Sequence, residues 1–147
     1  MNNYETYKSL LPHFSELKDR IDEIVKERQL SPLLNDVKWI KLYEQMGELE
    51  IPPAYDYQLL IDDTPLVIMD KVPTSGGGWD NFTLDEWFTP FYAIEKMVIY
   101  GKLGTYVGRL VDPTIFDQTE VIRRMLQEIN IPFEEVQPSV FEIMGYR

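Results

Sequence analysis

Three pairs of neighbouring carboxylates are the first residues that could do chemistry: Asp62-Asp63, Asp85-Glu86 and Glu134-Glu135. Two carboxyl groups held in different environments are what acid/base hydrolysis of a glycosidic bond, or an oxygen-ligand metal site, requires. Adjacent acids on a strand point to opposite faces, however, and in a chain with 25 acidic residues such neighbours also arise from composition alone. The single histidine, His13, follows Pro12 near a helix start. Any histidine triad, two-histidine metal site or imidazole acid/base would have to use it, and the expected reading is an ordinary, partly exposed residue. Cysteine is absent, which removes thiolate metal sites, cysteine nucleophiles and disulfides together. The run Gly76-Gly77-Gly78 lacks the Lys-Ser or Lys-Thr of a phosphate loop and is followed closely by Asp80, which repels phosphate. It reads as a flexible loop. No catalytic, cofactor-binding or metal-binding residue is assigned on these grounds, and no cofactor is expected.

Charge is more informative than any motif. Between Glu44 and Glu95 eleven acids face one base, Lys71, so this segment carries −10 of a net charge of −11. A segment of that sign repels phosphate backbones and argues against nucleic acid, whereas it attracts and steers a basic protein. Trp79 and Trp87 flank the Asp85-Glu86 pair, and tryptophan beside carboxylates makes a good anchor for a basic partner. The candidate partner-binding residues are therefore Asp62, Asp63, Trp79, Asp80, Asp85, Glu86 and Trp87. The residues from Met1 to Lys8 lack the basic start and apolar run of a secretory signal, and no apolar stretch approaches the roughly 20 residues that span a bilayer. The expected compartment is the cytoplasm, with no membrane partner.

The elements that must position these residues follow from periodicity. Phe14, Leu17, Ile21, Ile24 and Val25 share one face of a helix over His13 to Arg28, which Ser31-Pro32 breaks. Asn35 or Asp36 can cap a second helix that turns Val37, Ile40 and Tyr43 to the core, with Trp39 and Met46 as further candidates, and ends at Gly47. After Pro52-Pro53 the period changes to two over Tyr55 to Ile61, and an Asp62-Asp63-Thr64-Pro65 turn leads into a second, β-rich run, Leu66 to Met69; the two read as a hairpin. Thr74 to Asn81 reads as loop, and Thr83-Leu84-Asp85-Glu86 as a capping box. Phe91 to Tyr100 suits either a helix or a strand. Gly101 to Gly104 reads as a turn, Thr105 to Val111 as its return strand, and Asp112-Pro113 as the start of a helix to Ile129 that buries Ile115 or Phe116 with Ile122, Met125, Leu126 and Ile129. Asn130 is a left-handed cap, and Pro132 to Val136 and Val140 to Met144 are short strands around Gln137-Pro138-Ser139. With 147 residues, enough to bury roughly 70% of the unfolded surface, and no internal repeat, the chain reads as one α+β domain over residues 1–147. Its antiparallel sheet, in residues 51–147, packs against about three helices, with a helical part over residues 1–50.

Several phrases together resemble a family of small bacterial proteins of unknown function: Asn35-Asp36-Val37-Lys38-Trp39, Trp79-Asp80, Glu86-Trp87-Phe88, Ile94-Glu95-Lys96-Met97-Val98-Ile99, Asn130-Ile131-Pro132-Phe133-Glu134 and the closing Gly145-Tyr146. The resemblance covers residues 35 to 146 and implies a strand for Phe91 to Tyr100, then a helix, an Ile-Pro-Phe strand and a terminal Gly-Tyr strand; it implies no activity. Where that family tends to have tryptophan, this chain has Lys96. A second stretch, Glu44, Gly47, Ile51-Pro52 and Tyr57, resembles the opening of the SUKH-type toxin-immunity superfamily. That resemblance implies a helix after the proline and a following Asn-Gly-Gly turn, where this chain has Asp62-Asp63-Thr64-Pro65.

These readings converge on a small acidic cytoplasmic protein that binds a basic protein, of an immunity-like kind. The alternatives are an acid/base hydrolase, marked by a pocket where two acids converge with split pKa values, and a structural homo-oligomer subunit, marked by a large self-complementary apolar face.

Overall fold

The computed structural model describes residues 2–74, 79, 89–105 and 114–147. The chain opens with α1 (Asn3–Leu10), a helix that periodicity did not announce; it is started by a capping box in which Asn2 accepts from the Glu5 amide and Glu5 accepts from the Asn2 amide. A short 3-10 turn over Leu11–Phe14 leads into α2 (Ser15–Arg28), which ends where Gln29 enters the left-handed region at φ 55°. Asn35 caps α3 (Asp36–Gly47) by accepting from the Lys38 amide at 2.9 Å. As expected, α3 buries Trp39, Ile40, Tyr43 and Met46. Val37 departs from expectation: it lies in the first turn on the outer side and is 57% exposed, while Leu42 takes the inward position.

The main sheet has the order β1 (Tyr55–Leu59), β2 (Ile94–Tyr100), β6 (Val140–Met144), β5 (Glu134–Gln137), all antiparallel. Phe91 to Tyr100 is thus a strand entered through a one-turn 3-10 helix at Phe91–Ala93. The expected hairpin does not form. Tyr55↔Ile99 and Tyr57↔Met97 show that β1 pairs with β2, far away in sequence, and Leu66 to Met69 joins no sheet. A β-branched strand available from residues 94–100 supplies a longer ladder than the four residues after the turn could. A second, two-stranded sheet joins β3 (Lys102–Thr105) to β4 (Thr114–Asp117), so the strand begins where a turn was expected at Gly101 to Gly104. Between β2 and β3 stands Gly101, whose missing side chain lets Thr119 Oγ1 come within 2.5 Å of where a Cβ would stand. The helix expected from Asp112 is shorter. It is α4 (Thr119–Glu128), opened by Asp117, which accepts from the Thr119 amide and hydroxyl; Ile115 and Phe116 sit on β4 instead, Ile115 45% exposed. Most of the return strand placed at Thr105 to Val111 lies outside the described residues, as do Gly76-Gly77-Gly78 and the capping box at Thr83 to Glu86.

One face of the sheet carries Met97, Ile99, Phe141 and Ile143 into the main core, met by Tyr7 and Leu10 of α1, the buried face of α3, and Ile122 and Leu126 of α4. The opposite face, Val98, Tyr100 and Val140, is covered by Ala54, Leu103 and the inward side chains of the 61–74 connection. α2 closes the edge, packing Ile21 against Leu60, Ala93 and Tyr146. The last residues return to the α2–α3 connection, where Ser31 and Arg147 exchange backbone hydrogen bonds and Leu33 N donates to Gly145 O.

Candidate protein-binding surface and the Asp36 cleft

The edge strand β1 is finished by aspartates. Asp56 Oδ1 accepts from the Tyr57 amide at 2.8 Å, and Asp62 Oδ2 accepts from the Leu59 amide at 2.8 Å, so two amides of the edge are taken by side chains. Beyond Asp62 the chain crosses the outer face of the sheet as an extended strap, 62–70. The β-rich run read from the sequence, Leu66 to Met69, lies within it without a partner strand. Leu66 and Ile68 turn inward onto the cluster of Val98, Tyr100 and Val140, while Val67 and Met69 turn outward, 75% and 50% exposed. Side chains of the sheet hold it: Gln58 Oε1 accepts from the Leu66 amide at 2.9 Å and the Tyr100 hydroxyl from the Met69 amide at 3.1 Å. Asp62, Asp63 and Asp70 are all exposed. The charge changes at the far end, where Lys71 and Lys102 line a hollow of about 140 Å³ together with Met69 and Asp70.

Trp79 is placed elsewhere. It is 4% exposed, its Nε1 donates to Pro53 O at 2.7 Å, and its ring lies 4.3 Å from that of Tyr55 and 4.9 Å from that of Tyr43. An indole with its polar edge satisfied inside an aromatic cluster belongs to the core. Asp80, Asp85, Glu86 and Trp87 lie outside the described residues. The other acid pairs do not meet in a pocket: Asp62 and Asp63 are exposed on the strap, Glu134 is exposed on β5, and Glu135 is taken by Arg123 at 2.6 Å and by the Ser139 amide at 3.2 Å. That pairing with Arg123 holds the Glu135 carboxyl below the usual carboxylate range, the Ser139 amide adding to it. His13 is exposed in the 3-10 turn. Among the described residues no three metal-ligating side chains gather, and no helix is long and apolar enough to cross a membrane.

A second site was not read from the sequence. The return of Gly145-Tyr146 beside the start of α3 leaves a cleft of about 270 Å³ whose lining includes Lys18, Asp36, Trp39, Tyr92 and Tyr146. Gly145 makes it possible: a Cβ there would collide with Ile94 O and press on the Trp39 ring at 3.3 Å. Asp36 is half-buried, and burial pushes its carboxyl above the usual range although Tyr7 donates a hydrogen bond to Oδ1 at 3.2 Å and Lys18 is near. Burial also raises the phenols of Tyr7, Tyr92 and Tyr146, that of Tyr92 to about 12, and Asp36 adds a repulsive contribution in each case. The signal that could have located the cleft lay in the Asn35-Asp36-Val37-Lys38-Trp39 and Gly145-Tyr146 phrases, which the fold brings together from opposite ends of the chain.

An antiparallel four-stranded sheet with helices on one face and an extended strap on the other defines the class as a mixed α+β domain. The chain belongs to a family of unknown function, DUF6678, whose match spans residues 21–147. No curated protein and no solved structure matches it. The SUKH resemblance gains no support, and strand β1 stands where that superfamily would place a helix.

Proposed function

We propose that this is a cytoplasmic protein-binding module that captures a basic protein through the 62–70 strap. The observation that carries the reading is the pair Val67 and Met69, 75% and 50% exposed, held outward between Asp62-Asp63 and Asp70 by a strap whose inward side chains are locked to the sheet. Exposed apolar side chains on a rigid support give a partner something to bury, and methionine adapts to the surface it meets. The surrounding carboxylates steer a positive partner and select its sign. Neutralisation of a basic toxin domain is the form of this function that the net charge of −11 fits.

The test is affinity capture from lysate of the source cells with the natural chain and with a Val67→Ser/Met69→Ser/Asp63→Lys variant. These side chains face solvent, so the variant retains its fold, checked by its melting curve. A strongly basic protein held by the natural chain, released by high salt and lost on the variant is the expected result. Retention of the same proteins by the variant, or captured proteins without excess positive charge, contradicts the reading.

A further inference from the structure

The Asp36 cleft lies away from the strap and has its own chemistry. The Tyr92 hydroxyl donates to Phe14 O at 3.2 Å and the Tyr146 hydroxyl to Tyr92 O at 2.6 Å, so both phenols are spent on the backbone. With Lys18 paired to Asp22 and Asn35 capping α3, the lining offers a visitor ring surface and the Asp36 carboxylate. The Asp36 carboxylate already receives Tyr7 at Oδ1, and no other hydrogen bond reaches it among the described residues. Burial raises the Tyr92 and Tyr146 phenols, and the carboxylates of Asp22 and Asp36 add to the rise in both. Lys18 already places an ammonium over the Tyr92 ring at the rim, 4.8 Å from the centroid, while paired to Asp22 of its own helix at 2.8 Å. An ammonium group over an aromatic face beside a carboxylate is the arrangement by which proteins recognise alkylated amines. One carboxylate is too few for a divalent cation, which takes several oxygen ligands, and an anion would meet Asp36 directly.

We propose that the Asp36 cleft binds an alkylammonium group, the end of a lysine side chain or of a small free amine, with Asp36 as counter-ion, Tyr92 as its aromatic wall, and Lys18 as the resident cation that competes with it at the rim. The site is independent of the strap. Loss of partner capture by the strap variant says nothing about it, and its own test uses small molecules alone.

The experiment is a backbone-amide NMR titration of the full chain with n-butylammonium chloride and with Nα-acetyl-lysine methylamide, each against its neutral counterpart, 1-butanol and Nα-acetyl-norleucine methylamide. The expected result is saturable shifts at Asp36, Tyr92 and Tyr146 with the amines and not with the neutral compounds. Asp36→Asn keeps an acceptor for Tyr7, so the fold survives, and it weakens binding by about tenfold or more. Lys18→Met removes the competing cation and tightens binding by about two- to threefold. Tighter binding of the lysine amide than of butylammonium assigns the site to a protein's lysine; equal or weaker binding assigns it to a free amine. No saturable shift with either amine, equal response to the neutral compounds, or unchanged affinity in Asp36→Asn overturns the proposal.

Discussion

Tyr7 ties the amino-terminal helix to the rest of the molecule with one oxygen. Its hydroxyl donates to Asp36 Oδ1 and accepts from the Phe91 amide at 3.0 Å, while its ring stacks on Phe91 at 4.8 Å between centroids. Tyr7→Phe keeps the ring and strands a buried amide, so we expect a loss of about 1–3 kcal/mol in urea denaturation; an unchanged midpoint would show that the hydrogen bonds contribute nothing net. The raised phenols also bear on stability at alkaline pH. Folded pKa values for Tyr7, Tyr92 and Tyr146 stand above the value of 10.0 for a free phenol, that of Tyr92 at about 12. Between those values the folded state holds more protons than the unfolded one. The contribution is therefore complete below pH 10 and is lost as pH rises through the folded values. Urea midpoints that fall from pH 9 to pH 11, and fall less in a Tyr92→Phe variant, are the expected outcome. Asp36, also raised, has the same sign at acid pH: its contribution is present below the ordinary carboxylate value and is lost as pH rises through the elevated one. Glu135 and Asp117, both lowered, act oppositely and lose their contribution as pH falls.

At the scale of elements, the edge of the sheet shows why an acid on this chain is not always a binding residue. Asp56 and Asp62 close two β1 amides. Asp56→Ala/Asp62→Ala removes both acceptors, and we expect a loss of about 1–2 kcal/mol together with concentration-dependent association seen by sedimentation. A variant as stable and as monodisperse as the natural chain would refute that guarding role. Local signals located α2, α3, β5 and β6, because a cap, a left-handed Asn130 at φ 57° or a turn at Ser139 with φ 68° is written in adjacent residues. They failed where partners are distant. Leu66 to Met69 has the β-rich composition of a strand and lacks only a neighbour, since β2 pairs with β1 and β6 and leaves it none. Trp79 looked like an anchor beside acids because its acceptor, Pro53 O, is 26 residues away. The Asp36 cleft needs Gly145 to reach Trp39, a meeting that only the fold specifies.

For the molecule as a whole, the charge read from the sequence becomes specific once the fold separates its members. Asp56 and Asp62 hold the edge, Glu95 is paired with Arg28 at 2.7 Å, and Asp63 and Asp70 remain on the surface beside Val67 and Met69. The strap thus brings negative charge and exposed apolar surface together, with helices on the opposite face of the sheet to support it. The central claim, that a basic protein docks on this strap, is tested most directly by amide hydrogen exchange of the chain alone and in complex with the protein it captures. Slowed exchange confined to residues 62–70 and the adjoining 71–73, with the helices unchanged, is the result this account predicts. Unchanged exchange in the strap, with protection appearing on α2, α4 or β5 instead, would contradict it.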